Sequence, residues 1–141
     1  MREISCAQVT RAVCQLCIEA NTQLPGDLRQ ALEQAAEAEK SPVGRGILGD
    51  IVENFRFAAA RDLPICQDTG MAVIFAELGQ EVHITGGAFE DAVNEGVARG
   101  YTEGHLRCSV VSDPLRRDNT GDNTPAILHL RLVPGDGLRL V

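Results

Sequence analysis

The stretch Leu63-Pro64-Ile65-Cys66-Gln67-Asp68-Thr69-Gly70 separates two parts of this sequence that follow different patterns. Proline disfavours helical geometry at the residue before it and has no N–H to donate, so a helix that approaches from the N-terminal side should end before Pro64. Gly70 permits a tight turn ahead of the apolar run that follows. The stretch therefore predicts a loop between a helical part and a part that contains strands.

Upstream of this loop, apolar residues recur at three- and four-residue spacing in three segments, which is the pattern of helices with one buried face. The predicted helices span about residues 3–21, 27–40 and 42–61. Asp27 is the expected N-cap of the second helix, and Ser41 followed by Pro42 predicts the start of the third.

Downstream, apolar runs bounded by glycines alternate with one more helical pattern. The predicted strands span about 71–78, 81–85 and 126–133, and the predicted helix spans about 88–102. The first two strands are joined by the turn Gly79-Gln80, and Leu138 to Val141 resembles a strand that has just begun. Helices first and then mixed strands and helix predict an α+β fold. At 141 residues the chain has the size of one domain, 1–141.

Composition excludes several classes of function. The net charge of −7 opposes a nucleic-acid or anionic-membrane partner, because both require a basic face. With 4% aromatic residues and no Trp, there is no platform for stacking bases. No apolar run approaches the roughly 20 residues that cross a bilayer. Five cysteines without a secretory signal indicate a reducing compartment, so a cytoplasmic location is expected.

Cys66 to Gly70 is the densest group of chemically reactive residue types in the sequence. A cysteine can ligate a soft metal, an aspartate can transfer a proton, and Gln67 and Thr69 can form hydrogen bonds with a substrate. The same residue types also fit an ordinary polar turn that holds a buried cysteine. Residue types alone do not decide between these two interpretations.

The stretch around Cys66 resembles the signature of the class I, iron–sulfur-dependent fumarate hydratases and of the L-tartrate dehydratase α subunits. The resemblance covers nearly all of the chain, because further stretches match in the same order. These stretches are Gly86-Gly87, Gly104 to Arg107, Val110 to Leu115, Asn119 to Ala126 and Val133 to Asp136.

The resemblance implies a hydro-lyase that reversibly eliminates water from a small 2-hydroxy dicarboxylic acid, either L-malate to fumarate or L-tartrate to oxaloacetate. It implies a 4Fe-4S cluster held by three cysteines, of which Cys66 matches one. Gln67 and Asp68 would border the substrate, with Asp68 as the catalytic proton-transfer group. Arg107 matches an arginine that pairs with a substrate carboxylate, for which a guanidinium is well shaped.

The sequence also departs from the family pattern. Family α regions continue beyond the Val133 to Asp136 turn and supply two further cluster cysteines there. This chain is therefore expected to be the N-terminal portion of an α region, inactive alone and completed by a C-terminal half or a β-type subunit. An oligomer is expected because family members assemble as oligomers.

The other cysteines have simpler explanations. Cys14 and Cys17 lie three residues apart on the first predicted helix, which indicates a buried face, and Cys108 follows Arg107 among apolar neighbours. His105, two residues before Arg107, is either a proton-shuttle group or an ordinary hydrogen-bonded histidine. Two alternatives to the enzyme remain at this stage: a non-catalytic module that binds a β-type partner or a small dicarboxylate, and a thiol sensor that uses Cys14 and Cys17.

Overall fold

The computed structural model describes all 141 residues, which form four helices and five strands. In chain order these are β1 (Arg2–Ser5), α1 (Cys6–Thr22), α2 (Gly26–Ala38), α3 (Pro42–Arg61), β2 (Val73–Gly79), β3 (Val82–Thr85), α4 (Phe89–Glu103), β4 (Ile127–Val133) and β5 (Leu138–Leu140). The α+β class predicted from the sequence is confirmed. No helix has both the length and the apolar character needed to span a membrane.

The chain divides into two compact units, where the sequence predicted one domain over 1–141. The first unit combines Met1–Ile18 with Gln67–Val141 and contains every strand. The second unit is Glu19–Cys66, and it contains α2 and α3. The boundary between Cys66 and Gln67 falls inside the predicted loop.

The first unit holds two separate sheets. β1 pairs in parallel with β3, from Arg2 opposite Val82 to Ser5 opposite Thr85. The other sheet has the order β4-β2-β5, in which β4 is parallel and β5 antiparallel to β2. β2 and β3 are consecutive in the chain but belong to different sheets, since β3 pairs with β1 and β2 pairs with β4 and β5.

Two predicted features near helix starts are wrong. The first helix begins at Cys6 and not near residue 3, because Arg2–Ser5 pair with β3 and are extended. The N-cap of α2 is Pro25 and not Asp27; Asp27 lies in the first turn, where its Oδ1 accepts a hydrogen bond from the N–H of Leu28. The remaining predicted helices and strands lie within about two residues of the observed bounds.

Glycines on α4 allow it to pack closely against α1. A methyl group added at Gly96 would lie 2.6 Å from Val13 Cβ, and one added at Gly100 would lie 2.7 Å from Cys17 Cβ. Both distances are shorter than the contact distance between two carbon atoms. The two helices can therefore approach this closely only because Gly96 and Gly100 have no side chain. The core of the unit surrounds this contact and includes Val9, Val13, Ile74, Val93 and Val97.

The second unit is a pair of helices with a small buried face. Ser41 caps α3 as predicted, its hydroxyl accepting a hydrogen bond from the N–H of Gly44, and Pro42 is the first helical residue. Val52, Phe55 and Ala58 are the buried residues of α3, whereas α2 has none. The helix α3 ends at Arg61, and Asp62 then adopts a left-handed conformation that starts the loop.

Candidate functional site

Cys66 follows a segment that is held by two hydrogen bonds within the second unit. The N–H of Ile65 donates to the carbonyl oxygen of Asn21 at 2.8 Å, and the side-chain amide of Asn54 donates to the carbonyl oxygen of Ile65 at 2.9 Å. Cys66 itself is exposed and belongs to no disulfide. Its thiol is therefore presented to solvent at the end of an anchored backbone segment.

Hydrogen bonds connect the loop Gln67–Gly70 to the residues that follow α4. The side-chain amide of Gln67 donates to the carbonyl oxygen of His105 at 3.4 Å, and Arg107 Nη1 donates to the carbonyl oxygen of Gln67 at 3.2 Å. No carboxylate of the chain pairs with Arg107. A guanidinium carries five N–H donors, so Arg107 keeps donors for an external carboxylate. The structure thus brings together two candidate substrate-binding residues that are 40 positions apart.

Asp68 lies in the same loop, exposed, with its carboxylate folded over Gly70. A methyl group added at Gly70 would lie 2.7 Å from Asp68 Oδ2. The absence of a side chain at Gly70 therefore leaves the space that the carboxylate of Asp68 occupies. His105 is also exposed and has a positive φ of 53°, which turns the chain between α4 and Arg107.

The polar loop 112–125 is tied to the backbone that follows Arg107. Asn119 donates from its side chain to the carbonyl oxygen of Cys108 at 2.9 Å, and the N–H of Thr120 donates to the carbonyl oxygen of Val110 at 3.0 Å. At the end of the loop, the hydroxyl and the N–H of Thr124 both donate to Asp122, and these bonds lower the pKa of its carboxyl group.

One residue of this loop, Asn123, was not among the predicted site residues. Its side chain is completely buried, and it bonds both to Gly70, in the loop after Cys66, and to Ser109 and Val110, just beyond Arg107. The sequence signal was an asparagine inside a polar stretch that resembles the family, but turns also favour asparagine for backbone reasons. Only the folded structure shows where its amide is directed.

The cysteines other than Cys66 are partly or fully covered. Cys14 and Cys17 are buried in α1, which confirms the predicted buried face, and Cys108 is half-buried. Burial raises the pKa of all three thiols, that of Cys17 to about 11, and Glu103 beside Cys14 raises the pKa of that thiol further. A raised pKa disfavours the thiolate that reacts or binds metal, which does not support the thiol-sensor alternative.

The residues present supply one suitable ligand for an iron–sulfur cluster and no complete set. Cubane clusters are held by cysteine thiolates, and Cys66 is the exposed cysteine of the chain. No group of three or more His, Cys, Asp or Glu side chains is arranged to hold a metal ion. A single thiolate fits one corner of such a cluster.

The chain is similar in sequence to enzymes that are named as fumarate hydratases. A family model described as Fumarate hydratase (Fumerase) matches residues 10–141. Fumarate hydratase 2 of Leishmania major is 38% identical over 109 residues, which cover 76% of this chain and 18% of that protein. The anaerobic class I fumarate hydratase of Escherichia coli (strain K12) is 36% identical over 114 residues, covering 79% of this chain and 21% of that protein.

A third relative is named as a subunit. The L(+)-tartrate dehydratase subunit alpha of Escherichia coli (strain K12) is 27% identical over 117 residues, covering 83% of this chain and 38% of that subunit. The chain thus spans less than half the length of the curated relatives it matches. Because the family model covers nearly the whole sequence, the chain belongs to the fumarate hydratase (Fumerase) family.

Proposed function

We propose that this chain is the N-terminal portion of the α region of a 4Fe-4S-dependent hydro-lyase, and that it binds part of a small 2-hydroxy dicarboxylate. The complete enzyme, meaning this chain with the C-terminal half or β-type subunit that finishes the site, would convert L-malate to fumarate or L-tartrate to oxaloacetate. The observation that carries the proposal is the hydrogen bond from Arg107 to Gln67, which holds two candidate substrate-binding residues together beside Asp68.

Each side chain has a role that its chemistry suits. Arg107 would pair with a substrate carboxylate through N–H groups that the chain leaves available. Gln67 would form hydrogen bonds with the substrate, and its contact with His105 limits the orientations it can take. Asp68 would hold or accept a proton as the substrate gains or loses water, because an exposed carboxylate in the same loop can reach a bound dicarboxylate.

Cys66 would be one of three cysteine ligands of the cluster, and the other two would lie outside this chain. When bound, such a cluster supplies Lewis acidity toward a hydroxyl group. The isolated chain is proposed to be inactive for this reason. A β-type partner is supported by the relative that is named as an alpha subunit. Assembly as an oligomer and a cytoplasmic location complete the proposal, the latter supported by five thiols that form no disulfide.

The test compares Cys66→Ser with Cys108→Ser in the complete enzyme, reconstituted anaerobically with iron and sulfide. Cys66→Ser should lose bound iron and nearly all dehydration of L-malate and L-tartrate. Cys108→Ser removes a half-buried thiol near Arg107 and should keep its iron. If the wild-type enzyme dehydrates neither acid, or if Cys66→Ser retains both iron and activity, the proposed function is wrong.

A further inference from the structure

The completely buried side chain of Asn123 connects the backbone segments that carry the candidate substrate-binding residues. Its amide oxygen accepts hydrogen bonds from the N–H groups of Ser109, at 2.6 Å, and Val110, at 2.9 Å, just beyond Arg107. Its amide nitrogen donates to the carbonyl oxygen of Gly70 at 3.1 Å, at the end of the Gln67–Gly70 loop. One side chain therefore bonds to both stretches that form the candidate site.

Few other residue types could replace this amide. A side-chain amide offers two acceptor lone pairs and two donors on one small plane. An apolar residue would leave the buried N–H of Val110, and the partly buried N–H of Ser109 and carbonyl oxygen of Gly70, without these partners. The backbone of Asn123 has a φ of 62°, a left-handed conformation that asparagine adopts more readily than most residues.

We infer that Asn123 is a positioning residue, whose buried amide holds the Gln67–Gly70 loop and the segment after Arg107 in the arrangement that binds the dicarboxylate. Direct links between the two stretches are few and exposed: Arg107 bonds to the Gln67 carbonyl, and Gln67 bonds to His105 over 3.4 Å. Exposed bonds of this kind contribute little because water competes for the same groups. The buried amide therefore decides how far apart the two stretches lie. The functional part of this inference rests on the proposed function.

Two variants of Asn123 separate the loss of its amide donor from the loss of its whole side chain. Asn123→Asp keeps the size and the acceptor oxygen for Ser109 and Val110, but an ionised carboxylate cannot donate to Gly70. Asn123→Gly removes the side chain and keeps the left-handed backbone unstrained. Asn119→Ala is the matched control, because Asn119 lies in the same loop and bonds to two backbone groups, at Cys108 and Gly121, but not to residues 67–70.

The first measurement is the NMR spectrum of the backbone amides of this chain, which requires no activity. Loss of the bond to the Gly70 carbonyl oxygen should shift the amide resonances of Gln67–Gly70 in both Asn123 variants, because the loop leaves its position. Asn119→Ala should leave these resonances at their wild-type positions. Wild-type resonances for Gln67–Gly70 in the Asn123 variants would overturn the inference, whether or not the complete enzyme is a hydro-lyase.

The second measurement is steady-state kinetics of the complete enzyme, normalised to the folded fraction. A misplaced substrate-binding loop should lower kcat/KM by about 10- to 100-fold, with an increase in KM, in both Asn123 variants. A residue that only stabilises the fold would reduce the amount of active enzyme and leave KM unchanged. Unchanged KM, an equal loss in Asn119→Ala, or failure of both Asn123 variants to fold would each overturn the positioning role.

Discussion

Arg107 Nη1 donates a hydrogen bond to the backbone carbonyl oxygen of Gln67 at 3.2 Å, although 40 positions separate the two residues. The bond joins the segment that follows α4 to the loop that follows α3. Its acceptor is a backbone oxygen and not a carboxylate. The bond therefore orients the guanidinium and leaves its positive charge without a neutralising partner. An oriented and unpaired guanidinium is suited to bind a carboxylate from outside the chain.

Replacement of Arg107 by lysine should weaken substrate binding. Lysine keeps the charge but cannot form two parallel N–H bonds to a carboxylate while also bonding to Gln67. We expect kcat/KM of the complete enzyme to fall about 10- to 100-fold, mainly through KM, with little change in stability because Arg107 is exposed.

The matched control for Arg107→Lys is Arg99→Lys on α4. Arg99 is also exposed, but it pairs with Glu103 at 3.1 Å, and lysine can maintain that ion pair. Kinetics of the two variants with L-malate and L-tartrate provide the comparison. An equal effect of both substitutions would indicate that the guanidinium geometry at Arg107 is not needed.

A methyl group at Gly70 should disturb the carboxylate of Asp68. In Gly70→Ala the new Cβ would lie 2.7 Å from Asp68 Oδ2, so the carboxylate has to rotate away. Because Asp68 is exposed and free to rotate, the free energy of unfolding should change by less than about 1 kcal/mol. Activity should fall about 10-fold or more, since the proposed proton-transfer group leaves its position.

The control for Gly70→Ala is Gly46→Ala, where an added methyl group meets no atom within 4 Å. Urea unfolding of this chain reports stability, and kcat of the complete enzyme reports the position of the carboxylate. Wild-type kcat in Gly70→Ala would show that the observed position of Asp68 is not needed for catalysis.

Local signals in the sequence predicted the helices but not the pairing of the strands. Ser41 and Pro42 identify the start of α3 because capping is decided by adjacent residues. By contrast, β1 has four residues, and its single buried residue, Ile4, continues the apolar pattern of α1. Its strand conformation follows from pairing with β3, which is about 80 residues away. Long-range pairing of this kind is not visible in local periodicity.

In the candidate site, too, the sequence identified some residues and missed one that depends on long-range contacts. The resemblance to the family identified Gln67, Asp68 and Arg107, and the structure joins Arg107 to Gln67, which precedes Asp68 in the same loop of the first unit. Asn123 was missed because its importance comes from complete burial and from bonds to residues 13 to 53 positions away. Asparagine in a polar loop has the same appearance in sequence whether it is exposed or buried.

The close contact between α1 and α4 should make Gly96 intolerant of a side chain. In Gly96→Ala the new methyl group would lie 2.6 Å from Val13 Cβ and 2.8 Å from the carbonyl oxygen of Thr10, and the backbone atom cannot rotate away. We expect the free energy of unfolding to fall by about 1–3 kcal/mol, as for other overpacked cores. Denaturant unfolding of the isolated chain measures the change.

Gly49→Ala is the matched control for Gly96→Ala, because Gly49 is also inside a helix but has open space around it. There the lower backbone entropy of alanine should stabilise the chain by up to about 1 kcal/mol. The two identical substitutions should therefore have opposite signs. Stabilisation by both would mean that the helices are free to move apart at Gly96.

The buried thiol of Cys17 should make the chain less stable at alkaline pH. Burial raises the pKa of this thiol from 9.0 to about 11, with a smaller contribution from Cys14. Between these values the unfolded chain has lost the proton that the folded chain keeps, so the free energy of unfolding falls as pH rises from about 9 to about 11. The full contribution is present below pH 9 and amounts to about 3 kcal/mol at most.

Cys17→Ala should reduce this loss of stability at alkaline pH. Equilibrium unfolding at a series of pH values would measure the change. The substitution also opens a cavity, so the slope with pH is the relevant quantity and not the stability at one pH. Near pH 10 the slope should become less steep by about 1 kcal/mol per pH unit.

Cys6→Ala is the control. It removes a thiol from the same helix and leaves Cys17 in place, so it should retain the loss of stability at alkaline pH. If Cys17→Ala and Cys6→Ala show the same slope as the wild type, Cys17 is not the group that titrates. Some decline should persist in Cys17→Ala, because burial also raises the pKa of Tyr101.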